Sequence, residues 1–232
     1  MSGRVAQPLQ IVDVGFWFTF GATIGLVSPA GAMYFGGDLE EVEATLAAMG
    51  FQTKRGAHVL DTYGYLGGQD EARAADIMAM FTDPGVDALL PLRGGWGCAR
   101  LLPHLDFDVI RAHPKIVCGY SDITALLSAM YTQSGLVGFH GPVGTSTWNA
   151  FSTGYWRDAV VEGRAVLMQD PPEMERETIT PGRARGPLFG GNLTVLTALV
   201  GSVLMLLAMS LLFLSLFLSE RAKPCSSARR TS

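Results

Sequence analysis

Between about residues 21 and 140, short apolar runs alternate with stretches in which apolar residues recur every three or four positions. Residues 23–28, 51–59, 87–92, 115–119 and 136–140 read as strands, those at 87–92 and 115–119 as buried ones. In residues 38–49, Leu39, Val42, Leu46 and Met49 form a stripe of period 3.6, and Gly50 ends it. Residues 69–81 predict a second helix, with Ala72, Ala75, Ile77 and Met80 inward and Asp83-Pro84-Gly85 as its stop. A short helix is predicted over 98–102, and Ile123, Leu126, Leu127 and Met130 mark another. Alternating strands and helices, with strands apolar throughout, imply a parallel sheet covered on both faces. The expected fold is α/β: a flavodoxin-like parallel sheet flanked by helices.

Two strand ends carry candidate chemistry. The strand at 115–119 runs through Tyr120 into Ser121-Asp122, directly before a helix. A sharp strand-to-helix turn exposes a serine hydroxyl beside free backbone N–H groups. The competing reading is that Ser121 or Asp122 only caps the helix. The strand at 87–92 runs into Arg93-Gly94-Gly95-Trp96-Gly97. Glycines there let backbone amides approach a ligand at the edge where open α/β sheets bind one. The competing reading is an ordinary connecting loop.

With Ile24 to Gly31, the segment 114–124, His140-Gly141-Pro142 and Gly190-Gly191-Asn192-Leu193, these segments resemble the LD-carboxypeptidase family of serine peptidases, which includes microcin-immunity peptidases. The resemblance covers residues 21–201. It implies that Ser121 is the nucleophile and that the N–H groups of Gly95 and Asp122 form the oxyanion hole. It implies hydrolysis of the bond joining an L-centre to a C-terminal D-alanine in murein peptides, or a related amide. The family's glutamate and histidine partners lie beyond the matching region, and no histidine follows His140 here. His140, at the same sheet edge as Ser121, is the local substitute for a base; the resemblance places it in the pocket wall instead.

Other candidates carry two readings each. Arg93 suits a substrate carboxylate or a surface ion pair. Gly94 lines the same loop. Trp96 covers the pocket or packs, and Asn192 binds peptide or caps the helix that Leu193 begins. His104 and His113 read as flanking a loop, and His58 as ending a strand. A polar, Pro-containing stretch holds Glu162, Glu173, Glu175 and Glu177.

A net charge of −4 and the lack of a basic stripe argue against a nucleic-acid partner. Cys98, Cys118 and Cys225 show no metal-ligand spacing, and Gly94-Gly95-Trp96-Gly97 lacks the lysine of a phosphate loop. Neither a metal nor a cofactor is expected. Cys118, inside an apolar strand, reads as a packing residue. An odd number of thiols fits a reducing cytoplasm. The expected partner is a small peptide substrate, with a homodimer as a further reading.

The organisation read from the chain is an atypical aromatic-rich extension at 1–20, a nucleophile-bearing α/β domain at 21–165 and a linker at 166–186. The start of a C-terminal domain follows at 187–232, diverging into an apolar helix and a basic tail. Residues 14–27 followed by Ala30-Gly31-Ala32 also imitate a secretory signal, although Asp13 abuts the apolar run. Residues 193–218 are almost purely apolar, long enough to cross about 30 Å of hydrocarbon. Basic residues follow, so an anchored chain keeps its tail in the cytoplasm. The last 31 residues hold eight leucines, seven serines and three arginines, as the product of a shifted reading frame would. Two non-enzymatic readings remain: a membrane-tethered peptide-binding protein, and a small-ligand domain in which Ser121 is a cap.

Overall fold

The computed structural model describes residues 21–34, 37–169 and 174–201, except 176, 178, 180, 184 and 187. Five strands and seven α-helices follow in chain order. They are β1 (Thr23–Val27), α1 (Gly37–Ala48), β2 (Gln52–Arg55), α2 (Asp70–Thr82), β3 (Ala88–Pro91), α3 (Cys98–Leu101), α4 (Phe107–Ala112), β4 (Ile116–Gly119), α5 (Ile123–Ala129), β5 (Phe139–His140), α6 (Ala150–Trp156) and α7 (Leu193–Leu199). The strands are all parallel, in the order β2-β1-β3-β4-β5. This is the flavodoxin-type order expected from the alternating pattern. Its switch point lies between β1 and β3, where the connections leave in opposite directions and open a crevice at the strands' carboxyl ends.

Strand periodicity sorts the core into two layers. Ile24, Leu26, Ala88, Leu90, Leu92, Ile116 and Cys118 pack with Leu39, Val42 and Leu46 of α1 and with Trp156 of α6. Val27, Leu89 and Val117 face the other way, onto Ile77, Met80 and Phe81 of α2 and onto α3, α4, α5 and α7. Strands β3 and β4 pair only at Ala88–Ile116 and Leu89–Val117. Beyond that, the chain returning from β5 bonds to β3: Gly144 N–H donates to Pro91 O and Thr145 N–H to Leu92 O, both at 2.9 Å. The segment after β5 is thereby tied in beside the candidate site.

Several element readings need correction. The buried face of α2 carries Arg73, Ala74, Asp76, Ile77, Met80 and Phe81; Ala72 is half-buried and Ala75 is exposed. An apolar-stripe reading passes over Arg73 and Asp76 because buried charges are rare, yet here both bind loop backbone. Strand β2 stops at Arg55, since the chain turns at Gly56, and His58 sits in the turn with Nδ1 2.8 Å from Asp61 Oδ2. Strand β5 is only two residues long. His104 and His113 do not flank a loop: between them runs α4, capped by the Asp106 carboxylate, which accepts from Asp108 N–H (3.0 Å) and Val109 N–H (3.1 Å). Helix α6, capped by Asn149, was not predicted.

In α7, Val195 and Leu199 are buried with the α5 layer, while Leu193 is exposed. Ala30 and Ala32, the small residues of the signal-like cleavage pattern, are fully buried in the loop after β1. Residues 1–20 and 202–232 lie outside the described residues, and with them the N-terminal extension, most of the apolar run and Cys225. No described helix is long and apolar enough to cross a membrane.

Candidate active site

Ser121 ends the turn out of β4 with φ +62°, the only positive φ at a non-glycine position among the described residues. A left-handed serine costs of order 1–3 kcal/mol and persists only where its surroundings enforce it. The turn is closed by Ile123 N–H donating to Tyr120 O (3.3 Å) and Thr124 N–H to Ser121 O (3.0 Å). Neither Ser121 nor Asp122 caps α5 with its side chain. The Ser121 hydroxyl, half-buried, has no hydrogen-bond partner among the described residues.

The loop after β3 meets this turn. A β-carbon on Gly94 would lie 2.9 Å from Ser121 Cβ and 3.1 Å from its Oγ. Only glycine therefore permits this approach. Gly95 is exposed at φ +129°, and neither its N–H nor that of Asp122 has an acceptor among the described residues. Gly94 O accepts from Gly31 N–H at 3.1 Å, which ties the loop after β1 to the loop after β3.

Arg93 forms no ion pair among the described residues; its Nη1 donates to Ala32 O at 3.1 Å, fixing the loop after β1. Trp96 is exposed. The Asn192 side-chain oxygen caps α7 by accepting from Val195 N–H (3.1 Å), and Asn192 N–H donates to Thr124 Oγ1 (2.9 Å), bringing the 190–192 segment against α5. His140 lies next to β4, its partner across the ladder being Gly119. Its ring packs edge-on to Tyr120, centroids 6.5 Å apart, with no hydrogen bond to Ser121. Burial lowers its pKa from the ordinary 6.5, which favours the neutral imidazole. A cavity of about 1240 Å³ opens beside it, lined in part by Cys118, Phe139, Phe151, Tyr155 and Phe189 but not by Ser121.

The sequence reading missed Arg73, Asp70 and Asp76 beneath these loops, and the contact that the Asp122 side chain makes there. Asp122 is 2% exposed, and its Oδ2 accepts from Cys98 N–H at 2.8 Å. Burial raises the pKa of its carboxyl, against the N–H groups of Cys98 and Gly97 that favour the anion. Arg73 donates through Nη1 to Pro29 O and to Gly97 O (3.3 Å), and through Nη2 to Asp70. Asp70 is held below the ordinary carboxylate range, first by Arg100 and then by Arg73. Asp76 Oδ2 accepts from His58 N–H at 2.9 Å, steadying the turn after β2. A signal was present: an arginine and an aspartate on the inward face of α2, at helical spacing. The thiols are inert by comparison, since burial pushes Cys118 up to about 12 and Cys98 well above its usual value.

Ser121 thus sits at a strained strand-to-helix turn, pressed against the Gly94–Gly95 loop at the carboxyl edge of a parallel sheet. The LD-carboxypeptidase N-terminal domain matches residues 24–141, and the chain belongs to this family. It is 35% identical over 190 residues to the probable murein peptide carboxypeptidase of Bacillus subtilis, a match covering 78% of this chain and 58% of that protein. It is 28% identical over 228 residues to the microcin C7 self-immunity protein MccF of Escherichia coli, covering 85% and 64% respectively. The crystal structure of muramoyltetrapeptide carboxypeptidase from Oxalobacter formigenes superposes with a TM-score of 0.66 at 27% identity, over 78% of this chain and 60% of that one. The chain thus spans about three fifths of the length of these relatives.

Proposed function

We propose that this chain is the nucleophile-bearing part of a serine-type LD-carboxypeptidase. Its substrate is a murein peptide, and the scissile amide joins an L-centre to a C-terminal D-amino acid. The observation that carries this reading is the placement of Ser121, strained at φ +62° and pressed against Gly94 within a family match that covers both loops.

In the mechanism, Ser121 Oγ attacks the carbonyl carbon. The oxyanion that forms is received by the N–H groups of Gly95 and Asp122, donors that no other group occupies. The C–N bond breaks, the D-amino acid leaves as an amine that takes up a proton, and water releases the acyl group from Ser121. The hydroxyl proton needs a base within hydrogen-bond reach. His140 is the histidine at this edge, and its lowered pKa suits an acceptor. Arg93 retains guanidinium donors beyond the one bound to Ala32, suited to a terminal carboxylate. Gly94 gives the substrate room, Trp96 offers an exposed ring, and the Asn192 side chain keeps its amide N–H groups for peptide.

The test is release of the terminal residue from two peptides that differ only in ending in D-alanine or L-alanine. The D-terminated peptide is expected to be cleaved in preference to the L-terminated one, and Ser121→Ala to slow its cleavage and to remove the acyl-enzyme trapped by mass spectrometry. Equal release from both peptides, or an acyl adduct that persists in Ser121→Ala, would overturn the reading.

A further inference from the structure

We propose that Asp122 is a positioning residue: its buried carboxylate, opposed across the Gly97 peptide by the Arg73 guanidinium, sets the Gly94–Gly97 loop so that the Gly95 N–H meets the oxyanion formed at Ser121. This rests on the function proposed above and adds the device that holds its two halves in register.

The Asp122 side chain turns away from its own helix and reaches the start of α3. There Oδ2 accepts from Cys98 N–H at 2.8 Å, and the Gly97 N–H faces the same carboxylate. On the other side of that peptide, Gly97 O accepts from Arg73 Nη1 at 3.3 Å. The Arg73 side chain is 0% exposed, and the same nitrogen also holds Pro29 O. Its Nη2 pairs with Asp70, which Arg100 Nε engages at 3.0 and 2.9 Å. Gly97 has no slack of its own: at φ +123°, a β-carbon there would lie 2.4 Å from Leu66 Cδ2.

One dipeptide therefore carries three functions. Ser121 supplies the nucleophile, the Asp122 backbone supplies one donor, and the Asp122 side chain fixes the loop that supplies the other. Oxyanion donors act at about 2.7–3.1 Å from the developing charge. A misplacement near 1 Å costs on the order of 10²-fold. A buried carboxylate facing a buried guanidinium is expensive to hold as a packing device alone, since apolar residues of similar volume often do as well. Its position between nucleophile and loop accounts for its presence.

Asp122→Asn keeps the shape and one accepting oxygen but removes the charge facing Arg73. Arg73→Lys keeps the charge but cannot reach Pro29 O, Gly97 O and Asp70 together. Two probes separate positioning from folding. An N-acyl-1-aminoethylboronic acid of L-alanine configuration, its boron in place of the scissile carbonyl carbon of the L-centre, forms a tetrahedral adduct on the serine and needs the oxyanion donors. The tripeptide product needs only ground-state contacts. Both are titrated calorimetrically against the full chain, with urea unfolding run on each variant.

The wild-type chain is expected to bind the boronate and Ser121→Ala not to. Asp122→Asn is expected to weaken the boronate about 10²-fold while tripeptide affinity stays unchanged, and Arg73→Lys to act in the same direction. Boronate affinity unchanged in Asp122→Asn, or boronate and tripeptide affinity lost in parallel, would overturn the proposal. If Asp122→Asn does not fold, the same two outcomes for Arg73→Lys decide it. A wild-type chain that binds no boronate overturns the proposed function instead, and the role of Asp122 with it.

Discussion

Gly97→Ala is expected to destabilise the chain by about 2–6 kcal/mol, from a left-handed backbone that costs about 1–3 and an overpacked site that costs about 1–3. The backbone sits at φ +123°, and the added methyl would meet Leu66 Cδ2 at 2.4 Å and Arg73 Nη1 at 3.2 Å. Relief requires moving Leu66 or displacing the guanidinium that holds Pro29 O and Gly97 O. Gly154→Ala is the internal control. It lies inside α6 with no atom near its β-carbon position, so alanine should stabilise by about 0.4–1 kcal/mol. Urea unfolding monitored by circular dichroism reads both. A Gly97→Ala midpoint equal to that of the wild type would mean that the loop after β3 is not held by the Arg73 and Leu66 contacts.

The second large effect concerns rate. Turnover of an L,D-tetrapeptide by this chain is expected at about 10³–10⁴ above the uncatalysed reaction, the residue left by binding and an oxyanion hole when no base acts on the serine. That is far below the ~10 per second common among enzymes. The Ser121 hydroxyl has no hydrogen-bonded base among the described residues, and His140 is engaged edge-on with Tyr120. A serine without a base is a weak nucleophile. Turnover near 10 per second would contradict this and require a base in place; His140→Gln would then show whether it is His140.

The layout of the sheet was legible because its central strands β1, β3 and β4 are apolar on both faces and its helices keep a period of 3.6. Leu39, Val42 and Leu46 are buried as their spacing predicted. The turn at Ser121 was legible for a similar reason: an apolar strand and a helical stripe left two residues to reverse the chain. What escaped was polar and long-range. Arg73 and Asp76 are buried because loops distant in sequence present carbonyls and N–H groups to them, which no local periodicity records. Helix α4 escaped because six residues give too short a stripe, although Asp106 marks its start. Arg93 was weighed as a fork or an ion pair, whereas its donor serves the Ala32 carbonyl, an acceptor that only the folded loop provides.

The most direct test of the account is to treat the chain with a biotinylated fluorophosphonate, digest it, and locate the adduct by mass spectrometry. The account predicts a single modified site, Ser121, lost in Ser121→Ala and slowed in Asp122→Asn. Modification at another serine with Ser121 untouched, or none after prolonged exposure of the folded chain, would contradict it.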